Sequence, residues 1–266
     1  MSNPNHQRPL VLVTNDDGIR SSFLKSLVLE LAGHFEVVVA APVEEKSWIG
    51  RAMTRHGDVS AEAVDGWPGE AWAIGGTPTD CINIALGHLL PKQPDLVISG
   101  INIGYNTTVP LVYSSGTVAG ALEGASWGLP AIAVSQALDR EHFVQASSGD
   151  GAAAESLAEM LGHSARQTAE FALKLLADPE RRSNSDLIVH NINFPFPSVA
   201  NLEWAQTVPA RAQAGCFFQR NSESGPFRFS YYKSTCGGSG PLTDRDAVES
   251  GRISWSILNF SEITRV

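Results

Sequence analysis

The sequence predicts an α/β fold, a doubly wound, Rossmann-like and mainly parallel sheet with a C-terminal hairpin or extended-arm region. Three observations predict it. Short runs dominated by Val, Leu, Ile and Ala recur at 10–14, 35–41, 95–99 and 131–135, too short for helices and nearly continuous in apolar residues, as strands buried on both faces are. Amphipathic or small-residue stretches alternate with these runs, which is the pattern of right-handed βαβ units. Beyond residue 200 the chain turns rich in aromatics, Gly and Pro, with alternating stretches such as FRFSYY at 227–232, a composition of hairpins rather than of further βαβ units.

The elements follow in order. Leu10–Thr14 reads as the first strand and runs into Asn15-Asp16-Asp17-Gly18. Ser22–Leu31 places Phe23, Leu24, Leu27, Val28 and Leu31 at helical spacing, with Gly33 as its C-terminal stop. Phe35–Ala41 is a second strand, ended by Pro42. Thr77 followed by Pro78 is a helix N-cap with proline in the first helical position, opening TDCINIALGHLL. Asp95–Ser99 and Ala131–Ser135 are further strands, and Ser115-Gly116-Thr117 opens a helix, VAGALEGASWG, of small residues suited to close packing. A short helix is expected around Ala152–Leu161, a stronger one over Arg166–Ala177, and a strand over Asp186–Phe194, stopped by Pro195 and Pro197. No repeat or linker divides the chain, which is read as one domain, 1–266, with its α/β core at about 10–195 and the arm and hairpins at about 200–266.

Composition bounds the function. The 266 residues carry 28 acidic against 19 basic side chains, a formal net charge of -9, which argues against a nucleic-acid polymer as partner. One phosphate in a pocket is not excluded, since local dipoles or a metal ion override the global field. Hydrophobic residues at 43% exclude a largely disordered chain. Cys81, Cys216 and Cys236 are widely spaced, with no CxxC and no disulfide framework, as expected in a reducing compartment. The N-terminal segment lacks the apolar core of a signal peptide, and no apolar run approaches the roughly 20 residues needed to span a bilayer. The expectation is a cytoplasmic protein without a membrane partner.

Four loops at strand or helix ends carry polar clusters, where open α/β sheets bind ligands. In the first, Asp16 and Asp17 repel each other, so keeping both ionised at close range favours a bound cation; the competing reading is an Asx-type turn with one Asp merely solvated. The second is Ala41-Pro42-Val43-Glu44-Glu45-Lys46-Ser47, by itself a charged surface loop. The third, Gly100-Ile101-Asn102-Ile103-Gly104-Tyr105-Asn106, holds two amides four apart between glycines, and the amides could equally serve turns. The fourth is Ser114-Ser115-Gly116-Thr117, a helix start that favours an anion and that N-capping alone would also explain.

Taken together and in order, NDDG after the first strand, AP followed by Ser47, SGIN-x-G-x-N, Y-S-S-G-T-V and a GALEG helix resemble one family, the SurE (survival protein E) metal-dependent nucleotidases and acid phosphatases. The G-T-P-x-D-C stretch at 76–81, the segment Asn191–Pro195 and the tail TDRDAVESGRIS at 243–254 are similar to it too. The resemblance implies metal ligation by Asp16, Asp17, Ser47 and Asn102, and phosphate contacts on Asn106 and on the Ser115-Gly116-Thr117 turn. The residue chemistry agrees, because an all-oxygen set selects a hard cation, one Mg²⁺ or Mn²⁺ per subunit, over zinc.

Three departures from the family pattern stand out. Trp48 follows Ser47 where the family usually has Gly. An extra serine precedes Gly116, leaving Ser114 as an alternative to Ser115. Trp255-Ser256-Ile257 replaces the usual Thr-Pro-Leu.

The function expected is a divalent-metal-dependent phosphomonoesterase, a 5'-nucleotidase acting on nucleoside monophosphates, with Asp16 or Asp17 orienting or deprotonating the attacking water. Two rivals are an aspartyl-nucleophile phosphatase of dehalogenase type, which needs Asp-x-Asp rather than adjacent acids, and a non-catalytic nucleotide-binding domain, which would want a Gly-rich phosphate loop. A homodimer or homotetramer is expected, from the cluster Trp255, Ile257, Leu258 and Phe260 and from the resemblance. Trp48 and Tyr105, beside Ser47 and Asn106, are expected to stack on a base.

Overall fold

The computed structural model describes residues 8–147, 157–181, 185–212, 215–222, 224–231 and 240–264. Strand β1 (Leu10–Thr14) lies near the centre of a nine-stranded sheet. β2 (Glu36–Pro42) pairs with it on one side and β5 (Leu96–Ile103) on the other, both parallel. Outside β2 come β4 (Ala71–Ile74) and the short antiparallel edge β3 (Ala61–Ala63). Outside β5 come β6 (Ala131–Gln136) and β7 (Ile188–Phe194), again parallel. The order reverses at β1, so a crevice opens between the C-terminal ends of β1 and β5, the position where doubly wound sheets bind ligands.

Alternate residues of each strand supply two cores. Val11 and Val13 join Phe23, Leu24, Leu27, Val28 and Leu31 of helix α1 (Ser22–Leu31) on one face, while Leu10 and Leu12 join Cys81 and Ile82 of helix α2 (Pro78–Ile84) on the other. Each such side chain contributes roughly 1.5–3 kcal/mol relative to exposure. Thr77 caps α2 as expected and forms a reciprocal capping box with Asp80, while Ser21 caps α1 by accepting from the Leu24 N–H. The small-residue helix, called α4 here (Gly116–Ser126), follows a short α3 (Val109–Ser114). A Cβ at Gly124 would overlap the Val97 side chain, so glycine there sets how closely α4 approaches β5.

Three expectations need correction. The strand begun at Leu96 does not stop at Ser99. It continues through a register shift to Ile103, with Gly100 at φ 138 against the Val134 carbonyl, and so carries Asn102 within the sheet rather than in a loop. The two helices expected at 152–161 and 166–177 are one, α6 (Ala158–Ala177), running through Gly162 after α5 (Arg140–Ser147); residues 148–156 lie outside the described ones. The third correction concerns the last 60 residues, which are not all arm. After β8 (Trp204–Thr207), the hairpin β9–β10 (Phe218–Arg220 with Phe227–Phe229) and helix α7 (Asp244–Glu249), strand β11 (Ile253–Asn259) returns antiparallel to β7 and carries β8 beside it. Trp255 packs on Phe171 and His190, and Leu258 is buried beside Val189, leaving Ile257 at 39% exposure. The apolar cluster expected to need a neighbouring subunit is largely covered by the chain's own sheet and by α6.

Candidate active site

β1 delivers its last residue, Thr14, to the crevice, and the turn after it is closed by Asn15: its Nδ2 donates to the Gly18 carbonyl at 3.0 Å and its Oδ1 accepts from the Gly18 N–H at 3.2 Å. The Asx turn therefore exists, but Asn15 makes it and both aspartates are spared. Gly18, at φ 95 and with an added Cβ only 3.3 Å from the Pro42 carbonyl oxygen, takes the chain where a side chain would strain it.

Asp16 is buried between two elements that sequence alone leaves unconnected. Its Oδ1 accepts from the Thr117 hydroxyl at 2.7 Å, and its main-chain carbonyl accepts from the Lys46 N–H at 2.7 Å, which brings the Glu44–Ser47 loop to the site. Asp17 is half-buried and its Oδ2 accepts from the Ile103 N–H at 3.0 Å, tying it to the residue after Asn102. Asn102 donates Nδ2 to the Gly104 carbonyl at 3.1 Å, which leaves Oδ1 as the free end of the amide. Ser47, half-buried, follows Lys46 directly. Hydrogen bonds thus tie the Asp16–Asp17 turn to the Asn102 end of β5 and to the loop that carries Ser47.

The electrostatics point the same way. Burial pushes the Asp16 carboxyl up to about 6, and burial with the adjacent Asp16 charge raises Asp17 well above the usual carboxylate range; the exposed Glu45 adds to both. Among the described residues, no basic side chain forms an ion pair with either aspartate. Nor, among the described residues, do three His, Cys, Asp or Glu side chains gather in a group that could hold a metal, so further donors at a cation site would be neutral oxygens such as those of Ser47 and Asn102. Two paired carboxylates lacking a cationic partner, completed by hydroxyl and amide oxygens, fit a hard divalent ion.

The phosphate side implied by resemblance is built differently from expectation. Ser114 donates to the Pro110 carbonyl within its own helix at 2.9 Å, whereas Ser115 caps α4 by accepting from the Val118 N–H at 3.0 Å. Thr117 spends its hydroxyl on Asp16, and the first N–H groups of α4, like those of any helix start, have no partner within the helix. Asn106 donates Nδ2 to Ser135 Oγ at 2.9 Å and to Thr117 Oγ1 at 3.3 Å, so in this structure it braces Thr117 and, through it, Asp16. Trp48 adopts φ 64, a left-handed backbone that glycine takes freely and a bulky side chain rarely does.

Residues that sequence reasoning quoted without assigning roles hold this arrangement together. Asn193 Oδ1 accepts from the Asn106 N–H at 2.8 Å, Asn191 donates to the Asn106 carbonyl at 2.9 Å, Arg245 donates to Thr107 Oγ1 at 3.0 Å, and Asp244 accepts from the Thr108 N–H at 2.8 Å. Three consecutive residues, one of them (Thr108) at φ 75, are clamped from β7 and α7. The signal lay in the segments N-I-N-F and T-D-R-D, legible as motifs but not as partners of residues 106–108.

The family model for survival protein SurE matches residues 11–215. The chain belongs to the SurE family. The protein from Stenotrophomonas maltophilia (strain K279a) named 5'-nucleotidase SurE is 33% identical over 252 residues, 92% of this chain and 87% of that one. Two SurE relatives of the same name are more similar over less: 44% identity with that of Synechococcus sp. (strain RCC307), over 55% of this chain and 53% of that protein, and 48% with that of Moorella thermoacetica, over 48% and 50%. The chain thus spans about half the length of those two curated relatives. The crystal structure of the SurE protein from Aquifex aeolicus superposes with a TM-score of 0.69 at 26% identity, covering 94% of this chain and 93% of that one. Among the described residues no helix is long and apolar enough to cross a membrane.

The raised carboxyls carry a pH prediction for protein stripped of divalent cations. A folded-state value of about 6 for Asp16 against an ordinary 3.8 means that its stabilising, protonated form is fully present below about pH 4 and lost as pH rises through 6. Between pH 5 and 7 the Tm of chelated protein should fall relative to that of Asp16→Asn by on the order of 5 °C. Scanning calorimetry in EDTA checks it, and parallel Tm curves for the two proteins would contradict it.

Proposed function

We propose that this chain is a divalent-metal-dependent phosphomonoesterase hydrolysing nucleoside 5'-monophosphates. The observation that carries the reading is the pair Asp16–Asp17, two adjacent carboxylates at the topological switch point, unpaired with any base and facing the start of α4. The names borne by its SurE relatives support the nucleotide as substrate.

Asp16, Asp17, Ser47 and Asn102 would hold one Mg²⁺ or Mn²⁺. Such an ion, when bound, polarises the phosphoryl group and acidifies a water. The chain's own residues do the rest. Thr117 fixes the Asp16 carboxylate by its hydroxyl, and Asn106 fixes Thr117. The Gly116 N–H and the dipole of α4 offer an anion site to the transferring phosphoryl group, at no reorganisation cost during reaction. Asp16 or Asp17 orients or deprotonates the attacking water. Homodimer or homotetramer assembly and a cytoplasmic setting complete the proposal.

Hydrolysis of adenosine 5'-monophosphate and p-nitrophenyl phosphate, with and without EDTA, tests it. Activity should vanish in chelator and return with Mn²⁺ or Mg²⁺ but poorly with zinc alone. Full activity in EDTA would overturn the metal-dependent reading.

A further inference from the structure

A circuit of contacts links the turn after β1 to the C-terminal hairpin. Its polar half runs from the Lys46 N–H to the Asp16 carbonyl, from Asp16 to the Thr117 hydroxyl and from Thr117 to Asn106. The other half is aromatic. Trp48, two residues after Lys46, meets Tyr231 with ring centroids 5.6 Å apart, and the Tyr231 hydroxyl lies 3.2 Å from that of Tyr105, the residue before Asn106. Phe229 and Phe217 complete the wall, with centroids 4.8 and 5.6 Å from the indole. The wall therefore comes from the β9–β10 hairpin region, some 170 residues from Trp48 in sequence, and not from the catalytic loops alone.

Three features suit this wall to a flat ligand rather than to packing alone. Trp48 keeps 41% exposure, and its three ring neighbours lie at 52–61° to it, so among the described residues none stacks parallel on the indole. Its left-handed backbone is a conformation that a bulky side chain adopts only when the surroundings impose it. Tyr105 is held from the other side by the Arg245 guanidinium, 4.5 Å from its ring centroid, itself donating to Thr107. Both tyrosines are anchored where the phosphate half of the circuit begins.

We propose that Trp48, Tyr105 and the hairpin aromatics form the subsite for the nucleobase of the substrate, with Trp48 as its stacking platform and specificity determinant. The inference rests on the phosphomonoesterase reading for its phosphate half and not for its aromatic half. Base–aromatic stacking sets the scale: about 1–3 kcal/mol per base corresponds to a roughly 5- to 150-fold preference for a nucleotide over the same ester without a base.

The test is the ratio of kcat/KM for adenosine 5'-monophosphate to that for ribose 5-phosphate. In Trp48→Ala this ratio should fall at least about 5-fold, mostly through KM, with Trp48→Phe retaining most of it. Tyr231→Leu, which leaves the catalytic loop's own residues in place, should lower the same ratio. A ratio unchanged in both variants, with both substrates slowed equally, means that the cluster only anchors the hairpin and overturns the proposal. Titration of adenosine into chelated protein by calorimetry separates the two readings. Should the enzyme turn over no phosphomonoester, adenosine binding weakened in Trp48→Ala would still support the subsite, and binding unaltered or absent in wild type would overturn it.

Discussion

Asp17→Ala should remove divalent-cation binding and at least about 1,000-fold of phosphomonoester turnover, the scale of losing a metal's stabilisation of a transferring phosphoryl group. Asp17 stands at the switch point between β1 and β5, its Oδ2 on the Ile103 N–H and its partner acid next in sequence. Asp17→Asn separates charge from scaffolding, because the amide oxygen still accepts from Ile103 while the negative charge is gone. Both variants should lose Mn²⁺ binding in calorimetry. Neither should lower the Tm of chelated protein near neutral pH, where a buried carboxyl of raised pKa opposes folding. A variant that binds Mn²⁺ as tightly as wild type would refute the ligand assignment while leaving the fold reading intact.

The second large effect is expected at Gly116. A Cβ there would lie 2.8 Å from Asp16 Cβ, 2.9 Å from Asp16 Oδ2 and 3.0 Å from the Lys46 carbonyl oxygen. Two of these three atoms belong to the carboxylate residue that Thr117 holds and the third to the loop carrying Ser47, so relief of the clash displaces the site itself. Gly116→Ala should cost about 1–3 kcal/mol in stability and about 100-fold in kcat/KM, the price of an ångström-scale misplacement. Gly162→Ala, on α6 with nothing within 4 Å of the added atom, is the control. It should leave activity alone and hold or raise the Tm, since alanine is the better helix residue. Equal kinetics for the two variants would show that Asp16 is not confined by this wall.

Much of the molecule was legible along the chain because local rules govern it. Uniformly apolar runs become central parallel strands wherever both faces are covered, and β1, β2 and β6 appear within a residue or so of where Leu10, Phe35 and Ala131 announce them. Thr77 and Ser115 cap helices by satisfying backbone donors a few residues away, a contact that sequence spacing alone specifies. The ordered loop motifs located Asp16, Asp17, Asn102 and the Ser115–Thr117 turn at the carboxyl ends of strands or the start of a helix, which is where side chains from separate loops can meet.

Other features depend on contacts between residues far apart in sequence, and no local rule encodes those. The continuation of β5 through Gly100 to Ile103 is made by pairing with β6, with Asn102 opposite Ser135. The return of β11 to β7 buries Leu258 and half-buries Trp255, residues whose apolar cluster reads from sequence as an exposed patch, because β7 offers an open edge and α6 an apolar face. The resemblance implies a phosphate contact for Asn106, and in this structure its amide donates to Ser135 and Thr117, which the sequence does not announce. Its backbone is gripped by Asn191 and Asn193, 85 and 87 residues away. The sequence by itself determined the strands and the Thr77 and Ser115 caps, since these follow from side-chain type and short spacing. Which donors face a ligand and which brace one another was decided only by the tertiary structure, because a hydrogen-bonding group has few bonds to give and its partners come from whichever elements the sheet order brings together.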